Sequence, residues 1–571
     1  MDFHSTGINP VARYPCKNFS MNTLRHFCLI LIAWHFAVPS AFAQPASFRY
    51  ELLQLLPDDF AVCIVMNDLH GHASRWEKSD WLKRFQTSPI GKKVLEAPEV
   101  KQIEHGLSEL KKHLDLDWPA LRDDILADTL MLTYSPGPKN KPDDERGLFF
   151  LHVRNPVRLK RFIDKLNDAQ TKSGELKNLA ELQYKGQTYW RRSEAAKVNY
   201  YFLKDSLALF TSNEEMLRAV LDRRAAPPRE TPWAKRFEKA GAEQAFITMC
   251  VNPRALDAEL LPQGKNDDPL PGYWRALEAV FVTVTIRDAA EVRIAIQAKS
   301  DKLPKWASPA FTETMSASSL WQRFPERNVF TIASLTDFAG SVEALKLLTP
   351  EKDRKKLADD LGSRIQEYLQ LDLLKDVLPN IGPDWGVCML PAKDGQQFPP
   401  MIFALAVKPG SDKKPVDQAL FNSVEALAKF AALQSADIKL QTMTQGKVEV
   451  KYLKSKTFLP GLEPAFALKD GFFLFATTPD AITEFRLRPT SVDEPKEAPL
   501  LRVSTQQLAK LLQQRREHIV SSLTDRQQMT AQEATQNLEN LISLLSLCDR
   551  VTLSQHGDQG QASWIIRLTP K

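Results

Sequence analysis

Glycine is scarce in this chain of 571 residues, and its 22 glycines include no Gly-Gly and no Gly-x-Gly pair. Phosphate-binding loops need closely spaced glycines so that backbone N–H groups can approach the ligand. The sequence therefore excludes the common nucleotide-binding loops. It also has no Gly-x-Ser-x-Gly, His-Glu-x-x-His or Cys-x-x-Cys motif, so the usual signatures of serine hydrolases, zinc proteases and zinc fingers are missing.

An excess of charge of one sign is missing as well. Lys and Arg number 75 against 70 acids, which leaves a net charge of +5. Nucleic-acid binding draws much of its affinity from clustered positive charge, so this balance argues against a nucleic-acid partner. Hydrophobic residues make up 43% of the chain and include 30 Phe, which is enough to build a buried core and argues against wholesale disorder.

The chain begins with the features of a secretory leader. Residues 27–38 form an apolar run that follows the basic Arg25 and ends shortly before an Ala-Phe-Ala tripeptide. This pattern predicts signal-peptide cleavage between Ala43 and Gln44, with Met1 or Met21 as the start. No later apolar run reaches the roughly 18 residues of a membrane span. We expect an exported mature protein, periplasmic or secreted, without a transmembrane segment.

The mature chain keeps four cysteines. They are Cys63, Cys250, Cys388 and Cys548. An even number in an oxidising compartment is enough for two disulfides, and where disulfides form we expect Cys63 with Cys250 and Cys388 with Cys548. The favoured interpretation is four free thiols, because three of these cysteines stand in apolar runs where a thiol acts as a small hydrophobe.

The sequence reads as an internal duplication. Residues 203–216 and 468–481 both begin Leu-Lys-Asp and both predict a turn, a buried strand and a capped helix. In the first copy Ser212 with Glu215 is the expected cap, and in the second Thr478 precedes Pro479.

Other features recur in the same order. Each first-copy feature has a second-copy counterpart: strands at 61–65 and 329–333, at 129–134 and 385–390, and at 148–153 and 401–407; helices after Asn155 and from 416; and final hairpins at 280–296 and 551–568. We therefore expect an α+β fold of two tandem duplicated modules with mostly antiparallel sheets flanked by helices. The expected modules span 46–299 and 325–571, joined by a connector at 300–324. The second module carries an inserted helical pair at about 505–547.

One motif is compatible with metal chemistry. Asp68, His70 and His72 follow a predicted strand, and a strand ending in Asp-x-His-x-His resembles the metal-binding opening of amidohydrolase-type barrels. Such barrels need further histidines at later strand ends, yet no histidine occurs between His152 and His518. The second copy keeps the acid and the glycine of the motif and lacks both histidines. A helix cap is therefore the favoured interpretation of Asp68.

A resemblance covers most of the mature chain. It rests on the exported leader, a Leu-Pro-Asp-Asp-Phe strand opening at Leu56, the Ser-Pro-Ile-Gly sequence inside residues 83–95, and the turn at Lys185-Gly186. In these features the chain is similar to large exported proteins of unknown function from planctomycete-type bacteria. The resemblance implies export and an α+β repeat, and it supplies no catalytic residues.

The sequence thus favours an exported, non-catalytic interaction or ligand-binding protein of the envelope or periplasm, without catalytic or cofactor-binding residues. Its expected partner is an unidentified protein or small ligand. The expected contact surface is a groove between the modules or an exposed sheet face. The alternative is a metal-dependent hydrolase built on Asp68, His70 and His72.

Overall fold

The fold is given by a computed structural model. It describes residues 50–571 except 127, 138–140, 142–143, 196, 228–230, 261–268, 288, 305–306, 339, 341–379, 394, 409–415, 489–496 and 528. The leader, with its cleavage site between Ala43 and Gln44, lies outside the described residues and stays a prediction. Within them, no helix combines the length and the apolar character that crossing a bilayer requires.

Ten strands are described within residues 62–298. They are β1 (Val62–Asn67), β2 (Thr129–Ser135), β3 (Arg146–His152), β4 (Leu176–Tyr184), β5 (Gln187–Glu194), β6 (Val198–Lys204), β7 (Leu207–Thr211), β8 (Ile247–Val251), β9 (Leu277–Ile286) and β10 (Ala290–Ala298).

Eleven α-helices are described in the same part of the chain. They are α1 (Tyr50–Leu53), α2 (Leu69–Glu77), α3 (Asp80–Thr87), α4 (Pro89–Leu95), α5 (Pro98–Leu114), α6 (Trp118–Ala120), α7 (Pro156–Ser173), α8 (Glu214–Ala225), α9 (Pro232–Lys239), α10 (Asp257–Leu260) and α11 (Pro269–Ala276). This part of the chain also contains a π-helical turn (Leu121–Ile125) and short 3-10 turns (Ala242–Gln244, Pro253–Leu256).

Ten further strands and five helices are described after residue 329. The strands are β11 (Phe330–Leu335), β12 (Ile381–Met389), β13 (Met401–Val407), β14 (Lys439–Gln445), β15 (Val448–Lys454), β16 (Ala465–Lys469), β17 (Phe472–Ala476), β18 (Ala498–Ser504), β19 (Cys548–Asp558) and β20 (Gln561–Pro570). The helices are α12 (Val416–Gln434), α13 (Pro479–Glu484), α14 (Thr505–Gln514), α15 (Arg516–Gln527) and α16 (Ala531–Ser546). Three 3-10 turns (Ser300–Lys302, Ser308–Phe311, Ser319–Gln322) lie in the connector.

All twenty described strands belong to one sheet, and every described strand pair is antiparallel. The first ten strands pair in the order β4-β5-β6-β7-β3-β2-β1-β8-β9-β10. The second ten pair in the order β14-β15-β16-β17-β13-β12-β11-β18-β19-β20, which is the same order with each number raised by ten. The two sets join where β10 pairs with β20.

The expected α+β class with antiparallel pairing is confirmed. The two sets of ten strands form one continuous sheet. Two details of the sequence analysis are wrong. The insertion at 505–547 contains the three helices α14, α15 and α16 and not a pair. The cap of α8 is Asn213, whose side chain accepts a hydrogen bond from the Met216 N–H, and not Ser212. The caps at Asn155 and Thr478 are as expected.

The sheet has two unequal faces, because alternate residues of a strand point to opposite sides. We call the side that carries Cys63, Phe281 and Ala295 the covered face, since these residues are fully buried in the main core of the first half. We call the other side, which carries Met249 and Ile294, the open face. Both of these residues are 36% exposed.

Candidate functional site

The predicted metal motif begins at a helix cap. Asp68 follows β1 with a positive φ of 50°, and its carboxylate accepts a hydrogen bond from the Gly71 N–H at 3.1 Å. This bond satisfies one of the free N–H groups of the first turn of α2. The side chain of Asp68 is 1% exposed and lies 3.7 Å from Arg154 and 3.8 Å from Arg75. The interpretation of Asp68 as a cap is confirmed.

The same cap recurs in the second half. Asp337 accepts a hydrogen bond from the Gly340 N–H at 3.0 Å. A Cβ atom on Gly71 would lie 2.1 Å from Asp68 Oδ2, and one on Gly340 would lie 2.4 Å from Asp337 Oδ2. Both distances are shorter than van der Waals contact, so each cap requires a glycine three residues after its acid.

His70 belongs to a buried ionic cluster. Its Nδ1 lies 2.8 Å from Asp123 Oδ1, and Asp123 also accepts two hydrogen bonds from Arg122 at 2.5 and 2.8 Å. The Arg122 side chain is 1% exposed and donates a further hydrogen bond to Glu77 at 2.6 Å. Burial disfavours ionisation of Asp123, but the hydrogen bonds from Arg122 and His70 outweigh it and hold the pKa of Asp123 below its ordinary value. The cluster ties α2 to the π-helical turn.

The two histidines of the motif have different neighbours. The ring of His72 packs against Phe246 with 5.0 Å between ring centroids, whereas His70 contacts Asp123. His152, on β3, pairs instead with Asp128 at 2.6 Å. No group of three His, Cys, Asp or Glu side chains in the described part of the chain is arranged to hold a metal ion. The geometry gives no support to the hydrolase alternative.

The structure is compatible with one of the two predicted disulfides and not with the other. Cys63 on β1 stands directly opposite Cys250 on β8, and both thiols are free and fully buried in the covered face. Opposed residues of antiparallel strands have Cα atoms about 4.5 to 5.5 Å apart, which is within the range of a disulfide. Burial raises the pKa of both thiols. This pairing stays a prediction.

The other predicted disulfide is wrong. Cys388 lies on β12 and Cys548 begins β19, and the strands β11 and β18 stand between them. Three strand spacings of about 4.8 Å amount to about 14 Å. That distance is twice what a disulfide bridges between Cα atoms. Cys388 lies instead in the second-half core, where burial raises the pKa of its thiol to about 11.

The open face carries a row of apolar side chains that the sequence analysis missed. Nine residues stand opposite one another in succession across nine neighbouring strands, and we call them the apolar row: Val284, Val292, Ile566, Leu553, Leu501, Ile332, Val387, Phe403 and Phe475. Ile332 and Phe475 are exposed, the other seven are half-buried, and none of the nine belongs to a described core. With a strand spacing of about 4.8 Å, the row is about 38 Å long.

A second set lies beside the row. Met249, Val282, Ile294 and Trp564 are successive opposed residues on β8, β9, β10 and β20. We call the apolar row together with Met249, Val282 and Ile294 the apolar floor. An antiparallel sheet that faces water normally alternates apolar and polar residues. Strand β9 instead reads Leu-Glu-Ala-Val-Phe-Val-Thr-Val-Thr-Ile. It has apolar residues on both of its faces, and this pattern is the sequence signal for the floor.

Charged groups of the central strands lie on the other side of the sheet. Arg567 on β20 donates a hydrogen bond to Glu291 on β10 at 2.9 Å and two to Glu497 at 2.6 Å. Glu291 and Arg567 alternate onto the covered face, and Glu497, just before β18, contacts Arg567 there. The hydrogen bonds from Arg567 outweigh burial and lower the pKa of Glu497. The ionic groups of the junction thus pair with one another, and the floor above β10 and β20 carries no charge.

The floor is bounded by described helices and turns. Beyond Val284 the row continues through Ile247 to Met66, which is buried with Leu159 of α7. Beyond Phe475 it continues to Phe466, whose ring lies 5.3 Å from that of Phe421 on α12. A third boundary is the connector, since Phe311 and Leu303 pack near Trp564. The floor is therefore recessed between two helical walls and one turn-rich wall.

Aromatic side chains of β5 and β6 pack within the sheet. Trp190 on β5 stacks on its cross-strand partner Tyr201 with 5.1 Å between centroids, and Tyr189 points to the covered core and donates a hydrogen bond to Glu214 at 2.5 Å.

Comparison with protein-family models identifies a family match for this chain. A family model described as a protein of unknown function, DUF3352, matches residues 124–447, which is more than half of the chain. The match fits the expectation of an uncharacterised family. No curated protein matches the chain.

Proposed function

Because the chain belongs to the DUF3352 family of proteins of unknown function, we propose its role from its own structure: it is an exported, non-catalytic binding protein of the envelope or periplasm. Its contact surface is the apolar floor. The family description identifies no partner, and the physical character of this surface supports the proposal.

The apolar floor is the observation that carries the proposal. Soluble proteins rarely expose a continuous apolar patch larger than a few hundred Å², and larger patches mark interaction sites. Ile294 and Ile332 are each 36% exposed, and Phe475 is 44% exposed. Leaving such side chains in water costs free energy that binding recovers.

The absence of catalysis is supported by the partners of the acid and histidine side chains. Asp68 caps a helix, His70 pairs with Asp123, and His152 pairs with Asp128. Each contact fixes local structure. A catalytic group needs a geometry that also reaches a substrate.

We also infer that the two halves are copies of one module. The identical pairing order of the two sets of ten strands supports this. So does the recurrence of positive φ at corresponding hairpin turns, 55° at Asp205 and 52° at Asp470. Each module on its own would leave its last strand unpaired on one side.

A photo-crosslinking experiment tests the binding role. The full chain is produced in cells that export it, with p-benzoylphenylalanine in place of Ile294 on the floor. The matched control carries it in place of Leu433, which is 84% exposed on α12 outside the floor. We expect an adduct from position 294 and none from position 433. Equal labelling at the two positions, or none at either, contradicts the proposal.

The export part of the proposal has its own test. The mature protein is isolated from the exported fraction and its N-terminal sequence is determined. Cleavage after Ala43 predicts a chain that starts at Gln44. A start at Met1 or Met21 contradicts cleavage.

A further inference from the structure

We infer that the apolar floor binds the acyl chain of a lipid. The inference rests on the proposed binding role and names the class of its ligand. Three features of the floor carry it: its lack of charge, its lack of hydrogen-bonding groups, and its recess between walls.

The first two features set the chemistry of the ligand. All twelve floor residues are aliphatic, aromatic or Met, and the charged residues Glu291, Arg293 and Arg567 of β10 and β20 alternate onto the covered face. The backbone N–H and C=O groups of the central strands form hydrogen bonds with neighbouring strands on both sides. They therefore cannot pair with an additional strand from a partner. A ligand that carries charges or backbone amides against this surface would lose their hydration without compensation. A hydrocarbon chain matches an uncharged surface of this kind.

The recess sets the shape of the ligand. A helix with its side chains is about 10 Å across, so the walls formed by α7 and α12 stand above the floor at both ends of the row. A flat apolar surface, such as the same face of a second copy, meets these walls before it reaches Ile294. A narrow, flexible chain fits between them. The row, at about 38 Å, has the length for acyl chains lying across the strands.

The experiment uses the purified full chain and cis-parinaric acid, an acyl chain that becomes fluorescent in an apolar site. The test variant is Ile294→Glu, which places a carboxylate on the floor between Val282 and Trp564. The matched control is Leu433→Glu, at a position outside the floor. Circular dichroism checks that both variants keep the fold, and light scattering gives their oligomeric state.

We expect saturable binding that monoolein displaces. We also expect the affinity to fall about tenfold or more in Ile294→Glu, because a buried carboxylate loses its hydration, and to stay within about twofold in Leu433→Glu. If Ile294→Glu loses its fold, Met249→Glu serves in its place, since Met249 lies on the floor at 36% exposure. Equal binding by the floor and control variants overturns the inference, as does a lack of saturable binding.

The adduct at position 294 separates the two proposals. If mass spectrometry finds a lipid there, it supports both. If it finds a protein, or a second copy of this chain together with a dimer in light scattering, the acyl-chain inference fails and the binding role stands. If no adduct forms and no probe binds, both fail.

Discussion

The Gly71→Ala substitution tests the account of the buried cap. The new methyl carbon would lie 2.1 Å from Asp68 Oδ2 and 2.7 Å from Asp68 Cγ, so the carboxylate has to move. It is 1% exposed and has no route to solvent without opening the start of α2. The loss of a helix cap costs about 1 kcal/mol, and a displaced buried polar group costs about 1 to 3 kcal/mol. The gain in helix propensity from Gly to Ala returns up to about 1 kcal/mol. With that gain subtracted, we expect a net loss of about 1 to 3 kcal/mol in the free energy of unfolding.

Two other glycine-to-alanine substitutions serve as comparisons for this loss in the free energy of unfolding. In Gly340→Ala the clash is with Asp337 Oδ2 at 2.4 Å, but Asp337 is exposed and can rotate into water, so we expect a loss below about 1 kcal/mol. In Gly106→Ala, within α5, a Cβ meets nothing within 4 Å. That substitution is expected to stabilise by up to about 1 kcal/mol.

Guanidinium unfolding monitored by circular dichroism measures all three variants. A second measurement isolates the clash: Asp68→Gly, which suits the positive φ of 50°, is combined with Gly71→Ala. Because the double variant has no carboxylate to displace, its loss should be smaller than the sum of the two single losses. Strict additivity, or equal losses in Gly71→Ala and Gly340→Ala, would refute the reasoning.

Two further predictions follow from the cysteines and from the junction. Refolding the reduced chain with oxidised glutathione should link Cys63 to Cys250. Because this disulfide closes a long loop, it should stabilise the protein by about 4 to 5 kcal/mol. Peptide mapping identifies the linked cysteines, and a bond between Cys388 and Cys548 would contradict the strand order. Because hydrogen bonds from Arg567 lower the folded pKa of Glu497, its contribution to stability is present above the ordinary Glu pKa of 4.5 and is lost as the pH falls below it. Unfolding of Glu497→Gln should therefore depend less on pH than that of the wild type between about pH 5 and 3, and identical dependences would show that the pair contributes nothing.

Local features of this fold were predictable because they depend on neighbouring residues. Strand β13 has the predicted bounds at Met401–Val407, and the helix after Asn155 begins with the predicted cap. The cap at Asp68 was predictable from the comparison with Asp337, since a shared acid and glycine three residues apart serve a helix start and need no histidine.

Nonlocal features were not predictable. The alternation at 280–296 identifies a hairpin, but whether one of its faces is covered depends on helices placed far away in the chain. The wrong pairing of Cys388 with Cys548 has the same origin, because their separation depends on β18 and β11, which reach their places only through long-range pairing. In the sequence, the open face is indicated only by strands that have apolar residues on both of their faces.

The pairing of β10 with β20 has a consequence for assembly. A free β10, Ala290–Ala298, would be an apolar edge strand, which is a template for edge-to-edge aggregation. Antiparallel pairing with an equivalent strand is the arrangement of a two-fold dimer, and this chain makes it within one polypeptide. The strands left at the outer rims are β4 and β14, where Lys177, Glu181 and Lys439 are exposed. Joining the two sets of ten strands in one chain thus places the strand most prone to edge-to-edge aggregation at the centre of the sheet, and it leaves β4 and β14, with these charged side chains, as the outer described strands.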